Sequence, residues 1–164
     1  MGQLIPYSLE SLLPDAATNF PQYLAQMPAG TFRSALAFSQ SVSQKCRSPQ
    51  YHMPSFTGAL SIRLTFAITA TTNNVAFRVA CEAIAPADAI NVNTTRSFDT
   101  ANTSGSISVP TSTYNTKDIV ITLTNNDSVT AGKLFTFTLD RDVSIGSNAT
   151  DICYVLAVSL EDES

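Results

Sequence analysis

"ALSIRLTFAITATTNNVAFRVACEA", residues 59–83, alternates apolar and polar side chains on both sides of a polar centre. In its first half Leu60, Ile62, Leu64, Phe66 and Ile68 share one parity, while Ser61, Arg63, Thr65 and Thr69 fall on the other. A period of two sends successive side chains to opposite faces of an extended chain, so this is a half-buried strand. The second half repeats the pattern, with Val75, Phe77, Val79 and Cys81 inward and Arg78 and Glu82 outward. "TATTNN" between them is a polar, Asn-containing turn, and the pair reads as a β-hairpin.

The same rhythm recurs downstream. "SGSISVP" (104–110), "KDIVITLT" (117–124) and "KLFTFTLD" (133–140) each align apolar residues two apart, the last two through Ile119, Ile121, Leu123 and Phe135, Phe137, Leu139. "DICYVLAVSLE" (151–161) is apolar on both parities, the mark of a central strand covered on both faces. "TFRSALAFS" (31–39) and "SVSQKC" (41–46) supply one or two opening strands. No 3.6-residue period is sustained after residue 30. About eight strands separated by turn clusters predict an all-β fold, an antiparallel jelly-roll β-sandwich.

Residues 1–30 follow another grammar. Pro6, Pro14, Pro21 and Pro28 forbid a long helix and interrupt sheet ladders, leaving room for a single helical turn at residues 8–13. The reading is an extended N-terminal arm (1–30) followed by a sandwich domain (31–164). Leu4, Ile5, Tyr7, Leu9, Leu12, Leu13, Phe20, Tyr23 and Leu24 make the arm too apolar to hang in water. It must lie on its own domain or on a neighbouring subunit, and the second is preferred because the sandwich can close without it.

Composition narrows the function classes. Charged residues are 13% of the 164, against about 25% in ordinary domains, and Ser plus Thr supply nearly a quarter of the chain. With 44% hydrophobic residues the chain has the apolar surface needed to fold. The net charge is −4 and the nine Lys and Arg are scattered singly, so there is no basic stripe to release phosphate counterions and no nucleic-acid partner is expected. No apolar run reaches membrane-spanning length, and "MGQLIPYSLE" has neither a basic start nor an apolar core, so neither a membrane span nor an export signal is expected.

Catalytic and metal signatures are weak. His52 is the single histidine, which rules out a multi-histidine metal site and leaves at most one residue for a nucleophile–base pair. Cys46, Cys81 and Cys153 are widely spaced and read as buried small hydrophobes in a reducing compartment. "DRDVSIGSNATD" (140–151) has oxygen-bearing side chains at alternate positions but places Ile145 where a calcium loop needs glycine and Asp151 where it needs glutamate. No cofactor, metal or enzymatic activity is expected. A structural role fits these charges better: strand parity sends Arg141 core-ward at the sheet rim, where Asp151 is expected to pair with it bidentately, with Asp142 helping to fasten the loop. Tyr51 and Tyr114, in expected loops, are the side chains that could stack on a sugar.

From about Phe32 to Glu161 the succession "ALAFS", "YHMP", "GALSIRLTFAITATTNNVAFRVACEAI", "SFDT", "DIVITLT", "AGKLFTFTLDRD" and "DICYVLAVSLE" resembles the small jelly-roll proteins on the virions of tailed bacteriophages. Phe77 stands where those proteins often carry Trp. The resemblance implies a structural protein of the virion, assembled in the host cytoplasm. It would be a capsid cement or decoration protein, homotrimeric and seated on the major capsid protein lattice through the arm. A tail or fibre module that binds a host-surface glycan through Tyr51 and Tyr114 is the alternative.

Overall fold

The computed structural model describes residues 2–15, 17–28 and 30–164. Among them the strands run β1 (Gly2–Tyr7), β2 (Leu13–Pro14), β3 (Gln22–Leu24), β4 (Ala35–Phe38), β5 (Lys45–Arg47), β6 (Tyr51–His52) and β7 (Leu60–Ile68). They continue as β8 (Asn74–Val75), β9 (Phe77–Ile84), β10 (Asn102–Thr103), β11 (Ile107–Ser108), β12 (Thr116–Thr122), β13 (Leu134–Arg141) and β14 (Cys153–Asp162). A single 3-10 turn at Leu9–Ser11 is the one helical element of the described residues.

The first sheet has the order β12-β7-β14-β4-β3, with β1 also on β14; the second has β10-β9-β13-β5-β2, with β6 also on β13. A small ribbon pairs β11 with β8. From β4 onward the chain crosses repeatedly between the sheets, β4 to β5, β7 to β9, β10 to β12, and β12 to β13 to β14. This is an antiparallel jelly-roll β-sandwich.

Alternation builds the core as expected. Leu60, Ile62, Leu64, Phe66 and Ile68 of β7 are all buried, as are Phe77, Val79 and Cys81 of β9 and Phe135, Phe137 and Leu139 of β13. Phe38 and Phe77 meet edge-on across the sandwich at 5.5 Å. Each such ring or branched side chain contributes roughly 1.5–3 kcal/mol by leaving water.

Two expectations need correction. Residues 59–83 do not form a hairpin: β7 pairs with β12 and β14, whereas β9 pairs with β10 and β13, so the polar turn carries the chain from one sheet to the other. Periodicity identifies strands but is silent about which sheet receives them.

Nor is the leading segment a free arm. β1 joins the first sheet, β2 the second and β3 the first again, so the chain laces the sandwich along one side. Tyr7, Leu9 and Leu12 are buried in the chain's own core, and Leu4 and Ile5 pack against it. The Tyr7 ring stands edge-on to Phe137 at 5.0 Å. Prolines did not prevent this because β1 and β2 are edge strands with a single partner each, where a missing N–H costs no ladder bond. Leu13, Phe20 and Tyr23 remain exposed, and Leu24 is half-buried.

β14 lies between β7 and both β4 and β1, and its double parity has a local cause. A bulge between Val155 and Ala157 inserts one residue, so the inward set changes from Cys153 and Val155 to Val158 and Leu160. Beyond it the strand ends on Asp162, whose carboxylate accepts the N–H groups of Thr57 (2.9 Å), Gly58 (2.7 Å) and Ser164 (3.0 Å). These bonds, that of Thr57 foremost, hold the Asp162 carboxyl below the usual range. A Cβ on Gly58 would collide with the Ser164 backbone and this carboxylate, so the clasp requires glycine.

Candidate functional site

Outward residues of the first sheet are expected to be polar, yet Ala35, Ala37 and Ala67 are buried there. Of these, Ala67 lies in a depression that larger neighbours wall. Tyr154 and Met27 complete a second apolar cluster with Ala35 and Ala37, against which Leu24, Tyr114 and Leu156 pack. The result is a groove of about 250 Å³ lined by Met27, Thr31, Arg33, Ala67, Tyr114, Thr116 and Leu156.

Tyr114 holds an unusual backbone. Its φ is +59°, the left-handed region that bulky residues rarely occupy, and its N–H donates to the Ile68 carbonyl at 2.8 Å. Strain of this sort costs about 1–3 kcal/mol and concentrates at binding sites. The ring is backed by Tyr154, with centroids 6.0 Å apart and planes tilted by 41°. Burial first, then Tyr114 as charge neighbour and hydrogen-bond partner, raise the Tyr154 phenol above its ordinary value, so it stays protonated at neutral pH.

The outer face of the second sheet is partly covered, with a hollow of about 290 Å³ left beside His52, Ile84, Ile90 and Leu134. The segment 85–100 crosses it from β9 to the end of β2, where Arg96 pairs with Asp15 at 2.7 Å while lying 4.7 Å from the centre of the Phe98 ring. Glu82 accepts the Ser97 N–H at 2.6 Å, and Arg78 pairs with the buried Asp140 at 2.6 Å. A crevice of about 80 Å³ remains between Arg47, Glu82, Arg96 and Thr136.

The sequence-derived site residues separate. Tyr51 is part of the second sheet and packs edge-on to Tyr7 at 5.7 Å, so the structure does not bring it to Tyr114 on the first. Arg141 is fully buried, but its partners are the carbonyls of Ala149 (2.7 Å), Asp151 (2.8 Å) and Phe38 (3.3 Å) and the Asn148 side chain (3.2 Å). The expected bidentate pair with the Asp151 carboxylate is absent: that group accepts the Thr69 hydroxyl at 2.7 Å. Main-chain oxygens are what a returning strand end offers a buried guanidinium, whose affinity for its proton burial pulls down. Asp142 accepts from Ser144 and faces Arg78 at 3.7 Å, which together hold its carboxyl below the usual range.

His52 Nδ1 lies 3.2 Å from the Gly132 carbonyl, and burial pushes the thiols of Cys46, Cys81 and Cys153 up to about 12. Among the described residues no three His, Cys, Asp or Glu side chains gather as metal ligands would. Met27, Thr31, Arg33, Tyr154 and Leu156 went unnoticed in the sequence. The available signal was the outward Ala-x-Ala of β4, since two small residues on an exposed parity mark a surface that something else covers.

No protein-family model matches the sequence, and no curated protein sequence matches it. Among solved structures, the C-terminal CBM6 of LamC, a marine laminarinase from Zobellia galactanivorans, has a TM-score of 0.48 at 16% identity, covering 96% of this chain and 98% of its own. TmCBM61 in complex with β-1,4-galactotriose has 0.47 at 10% identity, covering 97% and 99%. The carbohydrate esterase vb_24B_21 from the Shiga toxin-encoding bacteriophage phi24B has 0.37 at 14%, covering 99% of each chain. No residue role is transferred from proteins this distant.

Proposed function

We propose that this chain is a non-catalytic carbohydrate-binding domain whose site is the groove on the outer face of the first sheet. One observation carries the reading: Tyr114, fixed by a left-handed backbone and backed by Tyr154, presents an aromatic wall to a groove whose apolar lining is completed by Ala67, Met27 and Leu156. The apolar C–H face of a sugar ring stacks on such a wall, and its hydroxyls need a few polar groups at the rim. Thr31, Thr116 and Arg33 supply them. Among the described residues lining the groove there is no carboxylate or imidazole to move a proton, which supports binding without turnover.

The cement-protein expectation drew on a leading segment free to embrace a capsid lattice. Tyr7, Leu9 and Leu12 lie instead in the chain's own core, which leaves Leu13, Phe20 and Tyr23 as the exposed apolar residues of that segment and weakens the support it gives. Residence on a virion is compatible with a glycan-binding module but does not follow from the groove.

Calorimetric titration with neutral and charged oligosaccharides tests the proposal. Tyr114→Ala is expected to weaken binding by about tenfold or more while the fold persists. Undiminished affinity in that variant would place the site elsewhere.

A further inference from the structure

The groove has a charge character of its own, and this inference rests on the carbohydrate-binding reading. Among the described residues that line it, Arg33 is the one charged side chain. Among the described residues Arg63, Arg78 and Arg96 are engaged in ion pairs and Arg141 donates to carbonyls, whereas neither Arg33 nor Arg47 has a carboxylate within 4.0 Å; of these two it is Arg33 that lines the groove. Its backbone is fixed nonetheless, with its N–H on the Thr31 carbonyl at 2.8 Å and that same carbonyl accepting from Met27 at 3.1 Å.

The other polar groups of the groove are hydroxyls, from Thr31, Thr116 and Tyr114. Among the described lining residues there is no ionised acceptor, whereas the Arg33 guanidinium carries five N–H donors. A neutral sugar, whose hydroxyls both donate and accept, leaves such a donor-rich set half used. A planar carboxylate satisfies it, because the guanidinium fork matches two parallel acceptor oxygens. The background points the same way: on a chain of net charge −4, a lone cation in a groove is the local feature that can draw an anion against the overall field.

We propose that the groove selects an anionic sugar, a uronate or a sulfated residue, with Arg33 as the specificity-determining side chain. The pyranose ring stacks on Tyr114 and its acidic group meets the guanidinium.

The test titrates the full chain with three matched oligosaccharide sets, neutral, uronate-containing and sulfated, for wild type, Arg33→Ala, Arg33→Lys and Tyr114→Ala. The expected result is tighter binding of an acidic set by about tenfold or more, weakened by salt, lost in Arg33→Ala and partly kept in Arg33→Lys. Preference between the uronate and sulfated sets identifies the acid. Equal affinity for neutral and acidic sets, or no effect of Arg33→Ala, overturns the charge selection while Tyr114 dependence keeps the groove as the site. Absence of binding to all three sets, or binding indifferent to Tyr114→Ala, overturns the groove reading and this inference with it. Arg33 is exposed on a loop, so its variants are expected to retain the wild-type amide spectrum, which is recorded alongside.

Discussion

The two outer faces of the sandwich come from the same alternation of side chains and end in opposite states. On the second sheet a crossing segment covers part of the strands, and most charges there are spent internally: Arg78 on Asp140, Arg96 on Asp15, Glu82 on the Ser97 amide, with Arg47 at the crevice the exception among the described residues. Thr136, Thr138 and Asp140, outward by parity, are consequently buried. On the first sheet, Ala67 hollows the surface, Tyr114 backed by Tyr154 walls it, and Arg33 stands beside it with no ion pair among the described residues. A surface that has satisfied its own polar groups has little left for a partner, and one with an idle donor beside an apolar hollow is built to be completed by another molecule.

Substitutions on the covered side should cost stability and those on the open side should not. The largest effect is expected at the rim of the second sheet, where Arg141→Ala strips partners from buried carbonyls and leaves a cavity. A loss of about 3–5 kcal/mol is expected in denaturant unfolding, and unchanged unfolding would refute the role given to this side chain. Glu82→Ala comes next, at about 1–3 kcal/mol, because the Ser97 amide loses a charged acceptor that is itself buried. Hydrogen exchange should quicken across residues 85–100 in that variant; exchange as slow as in wild type would mean that other contacts hold the segment.

Acid should test the rim of the second sheet as well. Asp142, lowered by Ser144 and Arg78, has a folded pKa below its unfolded value, so it adds stability above about pH 4 and withdraws it as pH falls through the folded pKa. Asp142→Asn should therefore flatten the acid limb of a stability profile, whereas Tyr114→Phe should leave it as it is. Identical acid limbs in wild type and Asp142→Asn would remove Asp142 from the balance. The smallest effect belongs to Arg33→Ala, within about 0.5 kcal/mol of wild type in thermal unfolding, since the side chain is exposed and makes no ion pair among the described residues. A larger loss would show that Arg33 serves the fold.

What the sequence revealed follows from how far along the chain each signal reaches. Leu60 to Ile68 and Phe135 to Leu139 announce their buried faces because the two-residue period is local. The assignment of β7 and β9 to different sheets depends on partners more than 30 residues away, and no turn motif encodes that. Pro6 and Pro14 were read as barriers to pairing when they are compatible with an edge.

The site was half legible. Tyr114 stood out as a loop aromatic, but Tyr154 and Leu156 were concealed by the bulge beside Val155, which makes an outward pair look like part of a strand apolar all round. Arg33 carries no local mark at all. Its meaning arises from its place in a groove that holds no other charged side chain among the described residues.

The central claim is that ligand meets the chain on the outer face of the first sheet. Backbone amide shifts of labelled protein, followed while an oligosaccharide that binds is titrated in, test this most directly. The account predicts changes clustered at Met27–Arg33, Ala67, Tyr114–Thr116 and Tyr154–Leu156, with the second sheet silent. Changes centred instead on Arg47, Glu82 and Arg96 would contradict it.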